Sequence, residues 1–177
     1  AFAYRFYMSD PWWLNSPWED RYQMNPSDIY LTTSLSRLRE NGKLNYVTDV
    51  NLVSLDTVWG ELPERFPDTV IPHLKRALSE RPTAAGPFVW VYPFEAFREA
   101  IFERRAGADH VLAGDANIIQ ALNRGLPLST IVTPPALQQT LARDAKALSG
   151  RVLVSPVPEA NSAWEQSLLD FVQEGGE

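Results

Sequence analysis

Beyond residue 46 the chain alternates between short apolar runs and stretches in which apolar residues recur every three or four positions. VNLVSLD (50–56) is a near-continuous apolar run and reads as a buried strand. In FPDTVIPHLKRALSE, Val70, Ile71, Leu74, Ala77 and Leu78 fall on one helical face, and Pro67 or Asp68 suits the first turn. PFVWVYP (87–93) is the clearest strand. The segment after it places Phe94, Phe97, Ile101 and Phe102 on one stripe, with Gly107 as its stop. HVLAG (110–114) reads as a short strand. DANIIQALNRG reads as a helix capped by Asp115 and closed by Gly125. LSTIVTP is a strand, PALQQTLARDAKALSG a helix, RVLVSP a strand and ANSAWEQSLLDFVQEGG a last helix. Alternation of this kind predicts βαβ units. The fold class expected is therefore α/β, a parallel sheet of about five strands with helices on both faces.

The first 45 residues have another texture. Trp12, Trp13 and Trp18 stand among Pro11, Pro17 and Pro26, a proline density that stops a regular helix. DIYLTTSLSRLRENGK then starts extended and turns at Asn41-Gly42. The expected organisation is an irregular, aromatic-rich extension over 1–45 and an α/β domain over 46–177. The closing LLDFVQEGG stops at a glycine pair of the kind that leads back into a sheet, so the parent polypeptide is expected to continue past Glu177. A start at Ala1 rather than Met is expected of a processed chain or a fragment, and the first residues lack the pattern of a secretory leader.

Composition narrows the chemistry. Sixteen Lys and Arg stand against 22 Asp and Glu, a formal charge of -6. That balance carries no footprint for a phosphate backbone, so nucleic acid is not an expected partner. No apolar run approaches the roughly 20 residues of a membrane-spanning helix. There is no cysteine, which removes thiolate catalysis, disulfides and Cys-based zinc sites. His73 and His110 are the only histidines and lack paired-ligand spacing, so no metal site is expected. GxGxxG after a strand, GxxxxGK[ST] and GxSxG are all missing, and no cofactor is expected. A response-regulator reading of Asp115 and Thr133 fails on Ser155, where a lysine would be needed.

The segment LLDFVQEGG resembles an element of class I glutamine-amidotransferase-like domains. Domains of that family, with a flavodoxin-like fold, also occur as non-catalytic middle domains of multidomain glycoside hydrolases. The resemblance covers about the last two thirds of the chain. It implies a flavodoxin-like domain of a larger carbohydrate-active protein, acting in interdomain packing, oligomerisation or the shaping of a sugar site. It implies carbohydrate, neighbouring domains or a second copy as partners. An extracellular or periplasmic location is expected over a cytoplasmic one. The nucleophilic cysteine of the catalytic members is missing, so glutamine hydrolysis is not implied.

In an open parallel sheet, ligands bind beyond the carboxyl ends of the strands. Those ends supply Asp56, Thr57 and Trp59, then Tyr92, Phe94 and Glu95, then Asp115 and Asn117, then Thr133 and Ser155. Asp56, Glu61 and Glu95 are the candidate carboxylates for a glycosidase-like hydrolase, in which one acid protonates the leaving oxygen and the other acts as base or nucleophile. The alternative is a binding module in which Trp12, Trp13 and Trp18 form a stacking platform, with Trp59, Tyr92 and Asn117 as further ligand contacts. Indole faces suit sugar rings, and they equally suit a core or a domain interface.

Overall fold

The computed structural model describes residues 2–9, 30, 33–54, 65–103, 108–158 and 160–175. The chain is α/β and divides into two compact units, Ala1–Leu35 with Asn45–Pro82, and Ser36–Leu44 with Thr83–Glu177.

In the first unit, β1 (Phe2–Ser9) runs parallel to β3 (Leu44–Ser54), with Tyr4 opposite Val50 and Phe6 opposite Leu52. The N-terminal segment is thus not irregular throughout. FAYRFYMS lies ahead of the first proline and is rich in aromatic residues that favour a pleated strand. Helix α1 (Arg65–Ser79) follows the expected stripe, with Leu74 and Ala77 buried. Pro72 lies inside it and can offer no N–H to the carbonyl of Asp68 one turn back. Val47 of β3 is also buried. Around these lie two lateral contacts. The Tyr30 hydroxyl and His73 Nδ1 share a 2.9 Å hydrogen bond, and the Arg81 guanidinium lies 5.6 Å from the centre of the Tyr46 ring.

The second unit holds β2 (Ser36–Leu38), β4 (Phe88–Val91), β5 (Thr130–Val132) and β6 (Val152–Val154) in the order β2-β5-β4-β6, every neighbouring pair parallel. Among the described residues four helices are threaded through it: α2 (Phe94–Phe102), α3 (Ala108–Asn123), α4 (Pro134–Arg143) and α5 (Ala163–Gln173). Beyond these four strands the expected purely parallel order does not hold. After β2 the chain reverses at a tight turn, where Arg39 N–H donates to the Lys43 carbonyl and Gly42 N–H to that of Arg39. Gly42 sits at φ +75, which a side chain would strain.

Alternation along the strands sorts the two faces. Leu38, Val132, Val89 and Val91 are buried and meet Leu137 of α4 and Phe171 of α5 in one core. Full burial of each such side chain contributes roughly 1.5–3 kcal/mol. The intervening residues, Arg37, Ile131 and Trp90, face the other way and stand in register across three strands. At the amino end of the same strands, Thr130 Oγ1 accepts from Gly86 N–H at 2.8 Å and bonds Ser36 Oγ at 3.0 Å.

One expected strand is a helix. HVLAG lies inside α3, and Asp115 is an interior residue of that helix, not its cap. A five-residue apolar run fits either period, and here Leu112, Ile119 and the buried Ile118 continue a helical pattern to Asn123. The end of α3 matches expectation. Gly125, at φ +85, donates to the Leu122 carbonyl, and Leu126 donates to that of Ala121. Helix α2 ends at Phe102, and Gly107 lies outside the described residues.

Candidate functional site

The face that carries Arg37, Ile131 and Trp90 opens at the carboxyl edge of the second unit's sheet. One step beyond β4 and β5 come Tyr92 and Thr133, and α2 and α4 then begin almost at once, at Phe94 and Pro134. The helix starts cannot fill the space above the strand ends. A cleft of about 590 Å³ remains, with Tyr92, Phe94 and Trp164 as aromatic walls and Arg37, Glu95 and Thr133 among its polar groups.

Each wall is held from behind. Tyr92 donates its backbone N–H to the Val132 carbonyl at 2.8 Å. Its ring meets Trp90 edge-on at 4.8 Å and Phe97 of α2 at 5.3 Å, and lies 6.3 Å from Phe94. Such pairs contribute about 0.5–1.5 kcal/mol beyond burial and fix the ring's plane. Burial pushes the Tyr92 hydroxyl up from its ordinary value of 10.0, and the charge of Asp115 adds to the shift. The hydroxyl therefore stays protonated at neutral pH and can both donate and accept. Trp164, in the first turn of α5, is half-buried and leans on the core that Leu137 and Phe171 build. Its helix is capped by Ser162, whose Oγ accepts from Glu165 N–H at 3.3 Å.

The helix starts at the cleft are capped differently. Pro93 and Thr133 occupy the N-cap positions of α2 and α4, and neither makes a side-chain cap bond. Pro134 and Pro135 open α4 and have no N–H to offer.

The carboxylates of the cleft are open to water. Glu95 is 70 % exposed and accepts a 2.9 Å bond from Arg98 Nε. That bond raises the Arg98 pKa further above its usual value. Glu40, on the turn after β2, is exposed as well. A general acid for glycoside cleavage needs a sheltered carboxyl whose proton is held by its surroundings, and neither glutamate has that shelter.

Tyr92 and Glu95 come together at the cleft, as do Phe94 and Thr133. Asn117 is exposed on α3 and does not line it. Ser155 turns onto its own loop, donating to the Pro156 carbonyl at 2.7 Å. Asp56, Glu61, Trp12, Trp13, Trp18 and Trp59 lie outside the described residues. Sequence reasoning missed Arg37, Glu40, Ile131 and Trp164. Trp164 left only a faint signal, an aromatic residue in the first turn of the helix after β6 but ten positions past that strand's end. Arg37 left none, because its strand is three residues long.

A smaller groove of about 380 Å³ runs between α4 and α5, past Gln138, Ser167 and Asp170. Among the described residues no group of three or more His, Asp or Glu could hold a metal ion, and no helix is long and apolar enough to cross a membrane. Comparison with protein-family profiles, with curated proteins and with solved structures finds no match to this chain.

Proposed function

We propose that the chain is a non-catalytic, flavodoxin-like α/β domain of a larger carbohydrate-active protein, and that the cleft at the carboxyl edge of its second unit receives a sugar ring. The observation that carries this reading is the lining. Flat aromatic groups (Tyr92, Phe94, Trp164) share one cavity with hydrogen-bonding groups (Arg37, Thr133, the Tyr92 hydroxyl), and its carboxylates are exposed. Aromatic faces suit the C–H surface of a pyranose, and the polar groups suit its hydroxyls. The strand order supports the flavodoxin-like part. The second strand of the series β4, β5, β6 pairs on one side of the first and the third on the other, as at the start of a doubly wound sheet.

The test is a titration of the intact chain with mono- and oligosaccharides, read by tryptophan fluorescence, beside a turnover assay on chromogenic glycosides. Saturable binding that is lost in Trp164→Ala, with no turnover, is expected. Turnover abolished by Glu95→Gln would overturn the non-catalytic reading in favour of a hydrolase. Absence of binding to every sugar would overturn the sugar reading itself.

A further inference from the structure

We infer that the cleft selects an acidic sugar, a uronate whose carboxylate is held by Arg37; this rests on the sugar reading above and names the class of sugar. The register fixes where Arg37 points. Leu38 is buried in the core, so its neighbour Arg37 emerges on the opposite face, level with Ile131, which also lines the cleft. Arg37 is exposed, and among the described residues its side chain makes no hydrogen bond or ion pair. Its guanidinium is free to meet a planar acceptor with two parallel N–H groups, the geometry that a carboxylate fits and a hydroxyl does not.

The charge around the site points the same way. The whole chain is at -6, yet β2 and its turn carry Arg37, Arg39 and Lys43 against Glu40 alone. Arg37 is thus the cationic group that lines the cleft, beside Glu40 and a Glu95 already bonded to Arg98, and it is where an incoming carboxylate would be held. That favours both the orientation of its approach and discrimination against neutral rings. Trp164, which lines the same cavity, supplies the apolar face for the ring.

The inference is tested on the intact chain with glucuronate and glucose as paired probes, and with acetate and inorganic phosphate as ring-free anions. Glucuronate is expected to bind about tenfold more tightly than glucose or more, the worth of one charge-assisted contact. Arg37→Ala should erase that preference, weakening glucuronate about tenfold more than glucose, with the melting temperature unchanged. Arg37→Lys should restore part of it, since charge returns without the fork. Equal affinity for glucuronate and glucose, or a preference that survives Arg37→Ala, would overturn the inference and leave the sugar reading standing. Acetate or phosphate binding as tightly as glucuronate would overturn it by making the ring irrelevant. Loss of all sugar binding in the unaltered chain would instead remove the reading on which it rests.

Discussion

Two pairs of helices in the second unit carry similar patterns and meet different fates. In α4, Ala136, Leu137 and Thr140 are buried, and in α5 Phe171 is buried, so both helices close over the sheet's valine face. In α2 no residue is buried, although Phe94, Phe97, Ile101 and Phe102 form the stripe that predicts a core-facing helix. Phe94 and Ile101 are about half exposed and Phe102 is 77 % exposed. In α3, Ile118 is buried while Leu112 and Ile119 stand in solvent. Hydrophobic periodicity thus reports which side of a helix would gain from cover. It does not report whether this chain supplies the cover. The α4 and α5 side chains contribute stability by burial, whereas much of the α2 and α3 stripe gains little from this unit.

The largest test of that contrast is a pair of truncations. Leu137→Ala removes a side chain with no exposure at all and should cost about 2–5 kcal/mol in denaturant unfolding. Phe102→Ala removes a larger group and should stay within about 0.5 kcal/mol. Equal losses would break the comparison. A smaller effect is expected where α3 ends. Gly125→Ala puts a side chain at φ +85 and should cost about 1–2 kcal/mol, felt in the protection of α3 amides from exchange more than in the strands. The smallest is a pH effect. The hydroxyl of Tyr92 has its pKa raised by folding, so its contribution is complete below pH 10 and is lost as pH rises through the folded value. Tyr92→Phe should therefore soften the decline of the melting temperature above about pH 10 and leave it unchanged at neutral pH.

How far the sequence could be read depended on the length of each signal. PFVWVYP was legible because five apolar and aromatic residues between prolines admit little but a strand, and the first four of these form β4. The α1 stripe was legible because Val70, Ile71, Leu74, Ala77 and Leu78 repeat the helical spacing over more than two turns. HVLAG was not, since five residues cannot separate a period of two from one of 3.6. SRL escaped notice because alternation over three residues is no pattern at all; its strand exists through parallel pairing with Thr130–Val132, nearly a hundred positions away. The site inherits the same limits. The rule of strand ends led to Tyr92, Glu95 and Thr133, which follow strands the sequence announced. Arg37 follows from the fold alone, and Trp164 required knowing that the start of α5 returns to the same edge.

Three prolines, Pro93, Pro134 and Pro135, stand where the two helices leave the cleft. A proline ring fixes φ near −65° before the chain folds, and Pro93 has φ -80 in the folded chain. Much of the backbone freedom that a loop surrenders on gripping a ligand is therefore already absent here. The mouth of this cleft is a mould rather than a hand: a ligand that fits enters a shape already cast, and one that does not finds little willingness to adapt.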